Sequence, residues 1–100
     1  MDEVSPQFSH MKEFTDSDGV TWRRRGEPID GKALARRVRK EEFLVRHNYL
    51  GDIVEIEPDQ REEFWASAER LMADSPHSDF IGAEFKDPTG RHLIVIDEHC

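Results

Sequence analysis

The chain has 100 residues, of which 36% are hydrophobic, and its 14 Lys and Arg against 22 Asp and Glu give a net charge of −8. A chain of this length forms one domain with one small core, which excludes a multidomain enzyme. No apolar run approaches the roughly 20 residues that cross a bilayer, and the single cysteine, Cys100, excludes an internal disulfide.

The first ten residues mix Ser, Pro and Gln without periodicity. They predict a flexible N-terminal tail over residues 1–10 and a single domain over residues 11–100. No apolar stretch of the kind found in a secretory signal follows the acidic start, so we expect a cytoplasmic protein. Ten Arg against four Lys favour a bacterial coding sequence that is rich in G and C.

The first predicted elements are a hairpin and a short helix. Residues 11–15 and 20–24 flank Asp16-Ser17-Asp18-Gly19, in which the aspartates bond to the turn and the glycine supplies a positive φ. Asp30 then has the position and side chain of a helix N-cap. The apolar stripe of this helix consists of Ile29, Leu34 and Val38.

A second pair of strands follows. Residues 43–50 alternate, with His47 and Tyr49 on one face and Arg46 on the other, and a Gly-Asp turn leads into residues 53–56. The next helix is the clearest predicted element, since it begins at a proline, carries acidic residues in its first turn and stops at a Ser-Pro pair. Its apolar stripe consists of Phe64, Trp65, Ala68, Leu71 and Met72.

Two final strands, over residues 80–86 and 91–97, form the second predicted hairpin. Both hairpin turns carry the pattern Glu-Phe-x-Asp-x-x-Gly, at residues 13–19 and 84–90. The similarity ends after the glycine, so we interpret it as convergent turn chemistry and not as an internal repeat.

Together these elements predict an α+β domain with a mostly antiparallel sheet of about six strands, in the order ββαββαββ, and two helices packed on one face. The last strand is apolar on both sides, because Leu93 and Val95 point one way and Ile94 and Ile96 the other. Helices on one face would cover only one of these sets. Residues 1–10, a second copy of the chain in a homodimer, curling of the sheet, or helices on opposite faces would cover the other.

Charge is polarised along the chain, with a net +5 over residues 23–46 and a net −9 over residues 47–100. If the fold keeps these regions apart, a basic patch on an acidic body suits a partner with the opposite arrangement. Alternatively, folding interleaves these regions, and the Arg-rich helix and the acidic helix are solvated faces that partly neutralise one another.

No motif of catalysis or metal binding stands out in the chain. The end of the sequence, Asp97-Glu98-His99-Cys100, has metal-capable side chains but lacks the paired ligands of a structural zinc site. No serine lies in a nucleophile elbow, and the glycines stand singly. We therefore expect no catalytic residue, no metal site and no cofactor.

These features leave three hypotheses about function. The first is a non-enzymatic protein-binding domain, such as a regulatory adaptor or an immunity- or antitoxin-like inhibitor, whose contact surface consists of Asp59, Glu62, Glu63 and Glu69. The second is a small-ligand or enzymatic site in a sheet-face cleft, lined by Trp22, Arg46, His47 and Tyr49. The third is nucleic-acid binding, which the net charge disfavours, through Arg23, Arg24, Arg25, Arg36, Arg37, Arg39 and Lys40.

Overall fold

The structure is a computed structural model that describes residues 8–49, 52–75 and 79–99. Its strands are β1 (Glu13–Thr15), β2 (Thr21–Ile29), β3 (Leu44–Tyr49), β4 (Asp52–Glu55), β5 (Asp79–Lys86) and β6 (His92–His99). Its helices are α1 (Gly31–Val38) and α2 (Arg61–Asp74), and short 3-10 turns lie at Phe8–His10 and Pro58–Gln60. The domain is therefore α+β, as predicted.

The strands form one mixed sheet in the spatial order β1-β2-β5-β6-β3-β4. β3 runs parallel to β6 while the other neighbours are antiparallel, so the prediction of a mostly antiparallel sheet is wrong. The reason is α2, which returns the chain to the other end of the sheet, so that β5 runs in the same direction as β4. Because β6 is antiparallel to β5, it runs in the same direction as β3. The predicted order ββαββαββ does not match either, because it lacks the 3-10 turns before β1 and before α2.

α1 begins at the predicted N-cap. The Asp30 side chain accepts a hydrogen bond from the Ala33 N–H at 3.4 Å, and this bond satisfies one backbone donor of the first turn. Leu34 and Val38, one turn apart, are fully buried against the sheet. The predicted stripe of this helix is thus confirmed at both positions, with Ile29 packed at its edge.

α2 packs on the same face of the sheet as α1, and the two helices share one core with β3, β5 and β6. Trp65 and Ala68 are buried as predicted, but Leu71 is 36% exposed and Arg61 is buried in its place. The buried stripe is therefore shifted toward the N-terminal end of the helix relative to the predicted stripe. No helix in the described part of the chain is long and apolar enough to cross a membrane.

Arg61 anchors α2 to two neighbouring loops. The residue is 4% exposed, and its guanidinium donates three hydrogen bonds to backbone carbonyl oxygens: to Ile56 at 3.4 Å, Lys40 at 2.5 Å and Phe43 at 2.7 Å. One side chain thereby bonds to the loop before β3, at Lys40 and Phe43, and to the end of the β3–β4 hairpin, at Ile56.

The other face of the sheet is curled and closed by the chain itself. Arg46 of β3 forms an ion pair with Asp16 in the β1–β2 turn at 3.1 Å, although β5 and β6 lie between these strands in the sheet. Inside the curl, a second core contains the buried residues Phe14, Trp22, Ala83, Phe85, Leu93 and Val95. Both apolar sides of β6 are therefore buried within one chain, and this strand no longer argues for a second copy.

The 3-10 turn at Phe8–His10 helps to cover this second core. The buried Asp97 carboxylate accepts the Ser9 N–H at 2.7 Å and the Phe8 N–H at 3.3 Å, and it also accepts the Asn48 side-chain amide at 2.8 Å. Arg24 donates to the Ser9 carbonyl at 2.9 Å. Phe8 and Ser9 of the predicted tail are thus bonded to the sheet, whereas residues 1–7 lie outside the described residues.

The repeated hairpin pattern folds into the same turn twice. The Asp16 N–H donates to the Val20 carbonyl at 2.9 Å, and the Asp87 N–H donates to the Arg91 carbonyl at 3.2 Å. In each turn the aspartate Oδ1 accepts the N–H groups two and four residues later. The closing glycines have φ of 82° and 94°, a conformation that favours glycine. The turns are therefore alike because the same side chain satisfies the same donors.

The two turn aspartates are strongly acidic. Burial raises the pKa of Asp16, but hydrogen bonds from the Trp22 indole, two backbone N–H groups and Arg46 outweigh it and lower the pKa to about 2. Burial likewise raises the pKa of Asp87, and hydrogen bonds from Arg91 and Thr89 outweigh it and lower the pKa to about 2. Both groups are therefore carboxylates near neutral pH.

Acid should weaken the fold through these two carboxylates. Because their pKa values in the fold lie below the ordinary 3.8, they stabilise the fold above about pH 4 and lose that contribution as the pH falls through about 2. We expect the free energy of unfolding in urea to fall over this window. The double variant Asp16→Asn/Asp87→Asn should be less stable near neutral pH, and its free energy of unfolding should fall less steeply as the pH is lowered. If the free energy of unfolding fell equally steeply with pH in the wild type and in the double variant, the low pKa values would be contradicted.

Candidate functional site

His47 lies at the centre of a ring of aromatic side chains on the helix-bearing face. Its imidazole centroid is 5.0 Å from that of Phe64 and 6.2 Å from those of Tyr49 and Phe80. The side chain is half-buried, and its Nε2 is buried without a hydrogen-bond partner among the described residues. Aromatic carbons thus form much of the surroundings of this imidazole.

These surroundings keep the imidazole uncharged. Burial lowers the pKa of His47, and it outweighs the carboxylates of Glu98 and Asp97, which raise it. Near neutral pH the ring is therefore a flat, uncharged group that contributes apolar surface.

Exposed apolar side chains continue this surface onto the β3–β4 hairpin. Val54 pairs directly with His47 across the hairpin, and Tyr49 pairs with Asp52. Directly paired residues share one face of a sheet, so Val54 and Tyr49 flank the imidazole. Val54 is 57% exposed and Tyr49 is 53% exposed. We call the surface formed by His47, Tyr49, Val54 and Phe64 the β3–β4 patch.

The opposite face of the same hairpin borders an acidic groove. This groove has a volume of about 490 Å³ and lies between the β1–β2 turn and β4. Its acidic lining residues are Asp16, Asp18, Asp52 and Glu55, and of these Asp52 pairs with Tyr49, so its side chain lies on the patch face. Arg46 is the cation among its lining residues, and it lies 3.1 Å from Asp16 and 3.8 Å from Glu55. The groove therefore keeps an excess of negative charge.

The four residues predicted to line one cleft are split between the two faces of the sheet. His47 and Tyr49 lie on the helix-bearing face, whereas Trp22 and Arg46 lie in the curl. Trp22 is fully buried, donates to the Asp16 carboxylate at 3.0 Å and has the Arg46 guanidinium 5.6 Å from its ring centre. Strand alternation separates Arg46 from His47, so the structure does not form the predicted cleft.

The acidic residues predicted to contact a partner are all exposed, but half of them face α1. Arg39, at the C-cap of α1, forms ion pairs with Glu62 at 3.0 Å and with Glu69 at 3.6 Å. Glu63 also lies on α2, while Asp59 lies in the preceding 3-10 turn. The two helices thus partly neutralise one another, which is the second of the two arrangements expected from the charge pattern.

The Arg-rich segment is divided in the same way as the cleft. Arg23 and Arg25 share the helix-bearing face with Lys86 and border a groove of about 680 Å³, whereas Arg24 is directed to the Ser9 carbonyl in the curl. Trp22, which precedes these arginines in the sequence, is buried, so its ring is not accessible for stacking on a base.

Most of these arginines have carboxylate partners. Arg23 pairs with Glu13 at 3.3 Å, Arg25 lies 3.5 Å from Glu84, and Arg37 pairs with the same Glu84 carboxylate. The remaining two cations of the predicted set, Arg36 and Lys40, are exposed in α1 and just after it. The structure therefore does not gather the predicted cations on one surface.

No protein-family model matches the chain, and comparisons with curated proteins and with solved structures find no match. Among the described residues, no group of three or more His, Cys, Asp or Glu side chains could hold a metal ion. Cys100, at the end of the predicted metal-capable cluster, lies outside the described residues. The function is therefore inferred from the chemistry of the surface.

Proposed function

We propose that this chain is a small, acidic, non-enzymatic protein-binding domain that docks its partner on the β3–β4 patch. The observation that supports this proposal is the exposure of Tyr49 and Val54, each more than half accessible, on one face of an edge hairpin. Large apolar side chains placed together on a surface are typical of contact sites, and tyrosine is enriched among the residues that contribute most to binding.

The patch has the layout of a small binding hot spot. His47 and Phe64 form a half-buried floor, and Tyr49 and Val54 stand above it at the rim. The floor is held by Phe80 and Trp65 from the main core, so an entering side chain meets a rigid surface. Binding on a preformed surface loses little conformational entropy.

The charge around the patch favours a basic partner. Asp52 and Glu55 flank Val54 along β4, and the chain as a whole carries a net charge of −8. A regulatory adaptor or an immunity- or antitoxin-like inhibitor would use such a field to speed association with a basic target. Salt would then lower the association rate and have little effect on the dissociation rate.

The other two functions receive less support. An acid–base role for His47 would require a polar group to orient the ring, and its nearest ring neighbours are Phe64, Tyr49 and Phe80. Nucleic-acid binding would require Arg23 and Arg25 to leave carboxylate partners. We expect steep salt dependence and an aromatic stacking surface in such a protein.

The docking proposal is tested by quantitative affinity capture from a lysate of the source cells, using the wild-type protein and the variant Tyr49→Ser/Val54→Thr as baits. We expect a protein partner to be enriched on the wild type and reduced tenfold or more on the variant, since losing two anchors costs over 1.4 kcal/mol. The half-exposed positions should tolerate these polar replacements, and circular dichroism checks the fold.

The control bait is Glu62→Gln/Glu69→Gln, which changes the predicted acidic surface of α2 and leaves the patch intact. We expect it to keep the partner, because both carboxylates are engaged by Arg39. A partner that is lost from this control and kept by the patch variant would move the site to α2 and contradict the proposal.

A further inference from the structure

Along the outer edge of β4, the backbone groups of alternate residues have no hydrogen-bond partner among the described residues. Within that part of the chain, β4 is the last strand of the sheet and β3 is its one neighbour. The Ile56 N–H, which continues β4, donates to the Val45 carbonyl at 2.8 Å. In an antiparallel ladder every second residue faces the same neighbour, so Val54 and Asp52 also bond toward β3. The N–H and C=O groups of Ile53 and Glu55 therefore point away from the sheet.

We propose that the partner binds by adding a strand to β4, and that this segment alternates basic and apolar residues. The inference rests on the proposed function and specifies the chemistry of the bound segment. Strand addition to an open edge is a common mode of peptide recognition, in which the backbone supplies affinity and alternate side chains supply specificity.

The alternation follows from the two different faces of β4. On one face an added strand would lie beside Val54 and Tyr49, which are more than half exposed and apolar. On the other face it would border the acidic groove, whose lining includes the side chains of Asp18 and Glu55. Because successive side chains of a strand point to opposite faces, one set would meet apolar surface and the other would meet carboxylates.

The charge of the groove also selects against a second copy of the chain. Two β4 strands paired edge to edge would bring Asp52 and Glu55 of each copy close to the same residues of the other. Like charges placed opposite each other destabilise strand pairing. A basic segment has the reverse effect, because Asp18 in the groove has no ion-pair partner among residues 8–49, 52–75 and 79–99, whereas Asp16 and Glu55 are engaged by Arg46.

The probe is a blocked eight-residue peptide in which Lys and Val alternate, titrated into the isotope-labelled full chain and followed by NMR. We expect saturable shifts along β4 and at least tenfold slower amide exchange at Ile53 and Glu55 in the complex. A Glu and Val peptide of the same length should not bind, because the groove repels its carboxylates.

A pair of variants isolates the backbone contribution. Glu55→Pro removes an outward N–H, which an edge strand tolerates, while Glu55→Gln removes the same charge and keeps the N–H. We expect the Pro variant to lose the peptide and the Gln variant to weaken it a few-fold.

Equal binding by both variants, binding without protection of Ile53, or no binding of the Lys and Val peptide would each overturn strand addition. The capture experiment with the Tyr49→Ser/Val54→Thr variant tests the docking proposal separately. If the Tyr49→Ser/Val54→Thr variant lost the partner and the Glu55→Pro variant kept it, the patch would be the binding site and strand addition would be rejected.

Discussion

Replacing Arg61 with Met should lower the free energy of unfolding by about 3 kcal/mol, a large share of the stability of a domain of this size. The side chain is almost fully buried, and each of its three hydrogen bonds ends on a backbone carbonyl. Met fills a similar volume but donates nothing. The carbonyl oxygens of Ile56 and Phe43 would then lose this donor, while the Lys40 carbonyl would keep its hydrogen bond from the Phe43 N–H at 3.3 Å. A buried unpaired acceptor costs about 1 kcal/mol or more.

Arg70→Met is the matched control, because Arg70 lies on the same helix, is exposed, and loses the same charge. Urea denaturation of the three proteins measures the effect, and we expect a change of less than about 0.5 kcal/mol for the control. Equal losses in the two variants would show that net charge, and not the carbonyl contacts, accounts for the role of Arg61.

Replacing Gly82 with Ala should destabilise the protein by about 2 kcal/mol through overpacking. A Cβ at this position would lie 2.5 Å from Leu34 Cδ1 and 2.9 Å from the Val95 carbonyl oxygen. The first contact involves a packed side chain of α1, and the second involves the backbone of the central strand β6. Removing these two close contacts therefore requires α1 to move away from the sheet or β5 to shift against β6.

Gly31→Ala provides the comparison in urea denaturation. At Gly31 a Cβ would meet Met72 Sδ at 3.8 Å, an ordinary contact, so we expect a change within about 0.5 kcal/mol. A Gly82→Ala protein as stable as the Gly31→Ala protein would mean that α1 does not pack on β5 as closely as the structure shows.

Local features of the fold were predictable because single residues determine them. Asp30 was identifiable as a cap from its position before an apolar stripe, and its bond to Ala33 confirms it. The two Asp and Gly turns were identifiable for the same reason, since one aspartate satisfies several turn donors. Such contacts span only a few residues, so the sequence contains both partners.

Features that join distant segments were not predictable. The parallel pairing of β3 with β6 depends on where α2 returns the chain, and periodicity does not specify that direction. The role of Arg61 was missed because an arginine at the start of a helix normally indicates exposure, and the carbonyls that bury it come from two other loops.

The candidate site was partly predictable. His47 and Tyr49 were identified as sharing one face of a strand, and the structure places them together. Val54 and Phe64 were missed because their contact with His47 depends on the register of β4 and the packing of α2. The alternation of β3 was itself a signal that Arg46 could not join His47, and it predicts the observed split between the two faces.

The most direct test of the docking proposal is residue-resolved amide hydrogen exchange on the protein, alone and in complex with its captured partner. We predict that the partner slows exchange within residues 46–49 and 52–56, and leaves α2 beyond Phe64 and the Arg23 and Lys86 surface unchanged. Slower exchange confined to α2 or to the β2–β5 surface, with β4 unaffected, would contradict the assignment of the β3–β4 patch as the binding site.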